Sequence, residues 1–365
     1  MKTITFKIIV FLFIIPFIGF ANNNRGKYKK TKEVSKTYNV SNNNTLNIKN
    51  KYGNVDIVTW DKNSIEINVN ITVSGNDEDK IIERLDKIQI EFDQQANQVF
   101  ATTKINKNKS KSWSFNFFGW SSSSNTNLQI DYTIKMPVNN NLTVFNDYGS
   151  ILLDKLNGKA NINCDYGKII IGSLNNQENE INIDYTNHSV IDFIENGTIV
   201  ADYSSFTVEK ANLIKLNADY TTSKFQQVKS LNYTCDFGTL RVEKTNHIVG
   251  NGDYLSLNIG TINNNAKITS SFGSLKIDSL QKGFDNVTIN ADYTSIKIGI
   301  ASDASCNFET NVSYGSLSHT GDLFTINKKR EKSNSKEYIG YFNTSNTNST
   351  IFASTEFGSI KLYQN

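Results

Sequence analysis

A four-residue phrase, small–acid–aromatic followed by Gly, Thr or Ser, returns along this chain and leaves few folds open to it. It reads Asn146-Asp147-Tyr148-Gly149, Cys164-Asp165-Tyr166-Gly167, Ile183-Asp184-Tyr185-Thr186, Ala201-Asp202-Tyr203-Ser204 and Ala218-Asp219-Tyr220-Thr221. It continues as Cys235-Asp236-Phe237-Gly238, Gly252-Asp253-Tyr254-Leu255, Ser270-Ser271-Phe272-Gly273, Ala291-Asp292-Tyr293-Thr294 and Val312-Ser313-Tyr314-Gly315. Between the aromatics at 148 and 314 the steps are 18, 19, 18, 17, 17, 17, 18, 21 and 21 residues. Outlying copies stand at Asn50-Lys51-Tyr52-Gly53 and Thr355-Glu356-Phe357-Gly358.

Counted from the aromatic, positions −6 and −4 are usually apolar (Leu142 and Val144, Ile214 and Leu216), and so are +3 and +5 (Ile151 and Leu153, Leu240 and Val242). Position −2 is usually small. Alternation with period two means strands that bury one face. The parity change between −2 and +3 demands a bend. Each unit is too small to bury its own apolar face, whereas stacked units share one continuous interior. The expected fold class is therefore all-β: a parallel β-solenoid of about 18-residue coils, with a small α+β N-terminal cap. Ten coils at roughly 4.8 Å each would extend about 48 Å.

In this arrangement the aromatic shares parity with −2 and −4, so its ring is expected to point inward or fill the corner; an exposed row of rings on which sugar faces stack is the weaker alternative. The acid at −1 points outward. Stacking would bring like charges about 5 Å apart, which is unfavourable unless compensated. An Asx-turn accounts for the acid, its carboxylate accepting the backbone N–H two residues on. A row of Ca²⁺ sites at Asp165, Asp184, Asp202, Asp219 and Asp236 is the weaker alternative, because each coil supplies one acid and the GGxGxD loop is absent. Cys164 and Cys235 occupy the same −2 position four coils apart, too far for a disulfide. Three buried free thiols, Cys306 included, are expected, and no cofactor is implied.

The start of the chain bears on the compartment. Met1–Lys7 carries two lysines, Ile8–Phe20 is uncharged, and Gly19 and Ala21 are small residues at −3 and −1 of a cleavage site. That is the layout of a signal peptide, residues 1–21. The formal charge of +3 falls to about +1 without Lys2 and Lys7, too neutral for an electrostatic case for nucleic acid. No later stretch approaches 18 apolar residues, so no transmembrane helix is expected in the mature chain. The protein is expected to be exported: periplasmic, at the cell surface, or extracellular.

Residues 22–40 read as a flexible segment and 41–137 as the cap. Ser64–Ser74 alternates as a strand. Asp77–Ile90 places Ile81, Ile82, Leu85 and Ile88 at helical spacing, with Asn76 as N-cap. Within the cap, Trp113, Phe115, Phe117, Phe118 and Trp120 fall in eight residues flanked by Lys107, Lys109 and Lys111. They form either an aromatic binding loop or rings tucked against the cap. The repeats fill 138–365, interrupted by a polar excursion at 320–350 that contains Lys328-Lys329-Arg330 and reads as a solvated loop, with an anionic-polymer contact as the minor alternative.

Ile48–Ile57 (IKNKYGNVDI), Leu128–Pro137 (LQIDYTIKMP), the serial D-Y-G/T units and Glu356–Leu362 (EFGSIKL) resemble a family of exported bacterial β-strand-repeat proteins known as putative adhesins. The resemblance implies surface attachment and brings no catalytic residues. The residues themselves argue the same way. His188, His247 and His319 fall at different places in the repeat, and no Ser/His/Asp or HExxH signature occurs. Stepping by six from Ile162 meets Lys168 before Leu174, so the hexapeptide rule of acyltransferases fails. The expected function is a non-catalytic, adhesin-like protein binding an unknown surface ligand, a glycan or an envelope protein. Alternatives are a structural or signalling-accessory protein with a protein partner and, more remotely, a polysaccharide-active β-helix enzyme.

Overall fold

A computed structural model describes residues 26–106 and 126–365. The expected signal peptide, residues 1–21, and the aromatic cluster Trp113–Trp120 lie outside the described residues. Those described form 26 strands against a single nine-residue helix, and no helix among them is long and apolar enough to cross a membrane. The chain is therefore all-β, but its pairing is mixed, parallel between repeats and antiparallel at several edges. It divides into two compact units, 1–158 with 162–167, and 159–161 with 168–365.

In the first unit the outlying repeat at Tyr52 is a full rung. Its strand Thr45–Lys51 pairs in parallel with Asn141–Asp147 on one side and Gln98–Ile105 on the other. After the corner, Val55–Trp60 lies between Ile151–Leu156 and Thr126–Pro137. Leu46, Ile48, Val55 and Ile57, the −6, −4, +3 and +5 positions, are all fully buried. Each such side chain contributes about 1.5–3 kcal/mol of transfer free energy. The small −2 residues are here Asn50 and Asn146, whose amides join the rungs: Asn50 Nδ2 donates to Asn146 Oδ1 at 3.0 Å.

The inserted residues decorate this rung. Ser64–Gly75 runs antiparallel to Thr126–Pro137, and Tyr28–Asn39 runs antiparallel to Ser64–Gly75. Most of the expected flexible segment 22–40 is thus a twelve-residue edge strand, held by its main-chain ladder although its inward side chains, Tyr38 apart, are only half-buried. The helix is Glu78–Asp86, shorter than the pattern suggested. Asp77, not Asn76, is its N-cap and accepts the Lys80 N–H at 3.2 Å, while Asn76 Oδ1 accepts the Lys27 N–H at 3.0 Å. Ile81 is buried and Ile82 exposed; Ile88 already begins the next strand.

In the second unit Ser205–Asp219, Thr222–Asp236 and Gly238–Asp253 follow one another in parallel at a register of 17 residues, Ser205 opposite Thr222 and Thr222 opposite Thr239. The sequential order then breaks. Thr350–Glu356 pairs with Asn286–Asp292 on one side and Cys306–Ser313 on the other, and Ser359–Gln364 lies between Ser295–Ile300 and Ser316–Thr320. The last repeat in sequence is wedged between two earlier ones. The polar excursion is not a loop throughout. Phe324–Glu331 and Ser335–Phe342 form an antiparallel hairpin that docks on Cys306–Ser313. Phe342 and Tyr338 are buried, and Lys328 pairs with Glu337 at 2.8 Å on the outer side. Cys164, Cys235 and Cys306 are free and buried.

Candidate functional site: an outward aromatic column

All twelve aromatics of the repeated phrase adopt a left-handed backbone, with φ from +49° at Tyr293 to +67° at Tyr52. This overturns the inward reading. Parity counting assumes extended φ and ψ at every residue, and one left-handed residue reverses the side-chain direction at that point. The bend lies at the aromatic itself, and the ring is turned out. Tyr220 is 51% exposed, whereas Ala218 two residues earlier is 3% exposed.

The outward rings stack. In the first unit Tyr52, Tyr148 and Tyr166 follow at centroid distances of 5.3 and 5.0 Å. In the second, Tyr185, Tyr203, Tyr220, Phe237, Tyr254, Phe272, Tyr293, Phe357 and Tyr314 succeed one another at 4.7–5.1 Å, within 10° of coplanar. A left-handed non-glycine residue costs roughly 1–2 kcal/mol. An aromatic pair returns about 0.5–1.5 kcal/mol beyond its buried area. The two are comparable, so each corner is tolerated because its neighbours repeat it. The corner amides are also satisfied: the Tyr203 N–H donates to the Asp219 carbonyl and the Tyr220 N–H to that of Asp236, both at 3.0 Å.

The residue after the ring is turned inward, which explains Gly, Ser or Thr in every copy but one, where the buried Leu255 stands. A Cβ at Gly149 would sit 1.9 Å from the Gly53 carbonyl oxygen. Where a hydroxyl replaces glycine it bonds across the corner: Thr221 Oγ1 donates to the Asp219 and Ala201 carbonyls, each at 2.9 Å, and accepts the Ser204 N–H at 3.1 Å.

The acids form a column, but not of Asx-turns. Asp202 Oδ1 accepts the N–H of Asp219 at 3.3 Å, Asp219 Oδ1 that of Asp236 at 3.3 Å, and Asp236 Oδ1 that of Asp253 at 2.8 Å. These three carboxylates thus tie one rung to the next, which offsets the like-charge stacking. Burial, and then the neighbouring Asp202, hold the Asp184 carboxyl above its ordinary value. Asp165 and Asp184 occupy the equivalent −1 positions of their rungs. Among the described residues no three metal-ligating side chains come together.

Because each ring covers its neighbours' faces, the column offers ring edges and phenol hydroxyls to solvent, a continuous apolar ridge. Burial pushes the thiols of Cys164, Cys235 and Cys306 up to about 12, so they stay protonated and unreactive inside the rungs.

No family model and no curated protein matches the chain. Similar solved structures include a putative cell adhesion protein from Clostridium sporogenes ATCC 15579, 11% identical over 92% of this chain and 100% of that one, with a TM-score of 0.19. A putative adhesin from Bacteroides fragilis NCTC 9343 is 14% identical over 91% of this chain and 97% of that one, with a TM-score of 0.25. A putative lipid binding protein from Parabacteroides distasonis ATCC 8503 is 10% identical over 90% and 96% of the two chains, with a TM-score of 0.28.

Proposed function

We infer that the chain is an exported, non-catalytic β-solenoid that attaches to a surface ligand, adhesin-like, through the face bordering its aromatic column. The observation that carries this reading is the outward stacking of nine rings in one unit, from Tyr185 to Tyr314. A monomer's exposed apolar surface is usually broken into small patches, and a long contiguous one marks an interaction site. A fold built on serial copies also offers the same contact many times over, which suits weak multivalent attachment. The aromatic cluster Trp113–Trp120 belongs to the proposal as a second contact.

The test is binding of the mature chain to a glycan array, together with capture from envelope extract. Glycan binding that falls when Tyr203 and Tyr220 are both replaced by Asn supports the reading. A single co-purifying envelope protein with no glycan bound favours a structural or signalling-accessory role instead. Unchanged binding by the double variant overturns the ring column as the contact.

A further inference from the structure

Beside the aromatic column, the strand that leaves each corner carries two further outward columns. At +2 from the ring the residues are hydroxyls on eight successive rungs: Ser205, Thr222, Thr239, Ser256, Ser274, Ser295, Ser359 and Ser316. At +4 they are Lys224, Arg241, Asn258, Lys276, Lys297 and Lys361, each opposite the next in register. Three consecutive rungs form a complete grid: Phe272, Ser274 and Lys276; Tyr293, Ser295 and Lys297; Phe357, Ser359 and Lys361.

Like charges directly opposite one another on neighbouring strands are destabilising. Arg241 and Lys276 are compensated at +6 on their own strands by Glu243 and Asp278, the latter pair at 2.6 Å. On the rungs of Lys297 and Lys361 that position is Gly299 and Tyr363. Among the described residues no carboxylate pairs with either lysine. The two amines stand on adjacent rungs with Lys276 as the next charge along.

Tyr363 adds a surface to this corner. Its hydroxyl reaches back to donate to the Ile277 and Asp278 carbonyls at 3.1 and 3.3 Å. The ring therefore passes over Gly299, where a Cβ would come within 2.8 Å of Cζ. Tyr363 is half-buried and, unlike the column rings, is not stacked on another aromatic among the described residues.

We propose that the grid around Lys276, Lys297, Lys361 and Tyr363 binds a linear acidic polysaccharide, a polymer of uronate sugars laid along the stack. The carboxylates would pair with the lysine column, the sugar hydroxyls with Ser274, Ser295 and Ser359, and a pyranose face with Tyr363. Charge and chemistry favour this occupant: a uronate chain offers carboxylates to the unpaired amines, hydroxyls to the serine column and an apolar pyranose face to the Tyr363 ring. The near-neutral chain lacks the broad cationic surface that nucleic-acid binding draws on. The inference rests on the surface-attachment reading and names its ligand class.

The test uses the mature chain and oligogalacturonate, with the fully methyl-esterified oligomer and a duplex DNA of equal charge as controls, by calorimetry at several salt concentrations. Binding of oligogalacturonate alone is expected. K297Q/K361Q should weaken it at least tenfold and flatten its salt dependence, while K297R/K361R retains it. Loss of two facing charges should leave the melting temperature unchanged or raised, which separates lost binding from lost folding. The proposal is overturned if the double Gln variant binds as the parent does, or if the methyl ester or the DNA binds equally well. It also falls if oligogalacturonate does not bind while the array still shows a ring-dependent ligand, an outcome that leaves the attachment reading intact.

Discussion

The ring of Phe357 stacks on that of Tyr293 at 4.9 Å and 8°, although Tyr314 and its whole repeat intervene in the chain. Tyr314 stacks on the opposite face of Phe357, also at 4.9 Å. The terminal repeat is therefore an interior rung. Deleting residues 350–365 should unpair one edge of Asn286–Asp292 and one of Cys306–Ser313 together, and strip the buried Ile351, Ala353, Ile360 and Leu362. At about 1.5–3 kcal/mol for each large apolar side chain, the loss rivals the stability of an ordinary domain. The truncated chain is expected to aggregate or melt far below the parent, measured by light scattering and circular dichroism.

The left-handed corners can be tested by paired substitutions at Tyr220. Y220V loses both stacks and places a β-branched residue at φ +52°, so it should cost about 3 kcal/mol. Y220G loses the same stacks but relieves the backbone, and should cost about 1 kcal/mol. Equal costs in urea denaturation would mean that the corner stores no backbone strain.

The acid column gives a prediction with a pH sign. The folded-state pKa of Asp184 is raised, by burial first and by Asp202 second. Folding therefore takes up protons just above the ordinary carboxylate pKa, and stability falls as pH rises through that window. Removing the charge should help at neutral pH. D184N is expected to melt above the parent at pH 7, with the difference closing below about pH 4.

A fourth test concerns the thiols. The folded-state values of Cys164, Cys235 and Cys306 lie near 12, against about 8.5 in an unfolded chain. Above the unfolded value the unfolded chain binds fewer protons, so stability should fall as pH rises from about 9. Replacing all three by Ala should remove that decline up to about pH 10, where the buried Tyr132 and Tyr233, also raised by burial, begin to contribute. In the parent, a thiol reagent should label no cysteine until denaturant is added.

The repeat was legible because burial enforces it: Ile214, Leu216, Leu240 and Val242 lie where the alternation put them, inside. The ring direction was not, since alternation is a statement about extended backbone and Tyr220 leaves that region for one residue. The small residue at +1, present in every copy but that of Leu255, was the available signal, because a side chain turned inward at a tight corner has little room. The strand Tyr28–Asn39 escaped notice because three of its six covered positions are lysines, Lys30, Lys32 and Lys36, which interrupt Tyr28, Val34 and Tyr38 and leave no apolar stripe to read. In the hairpin, Tyr338, Gly340 and Phe342 do alternate, but the neighbouring run Lys328–Arg330 suggested solvent, and those cations are its outer face. The hydroxyl and lysine columns were present in the repeats all along. They emerge only when outward positions are aligned as carefully as inward ones.

The wedged last repeat also sets the order in which this molecule can finish folding. Synthesis delivers Asn286–Asp292 and Cys306–Ser313 first, two matching strands that share the same alternation and have every chemical reason to zip together. Were they to pair first, they would have to part before residues 350–364 could take the place between them. Maturation should therefore show a slow phase governed by strand exchange, and a chain whose final residues are delayed would be caught in a plausible but wrong embrace.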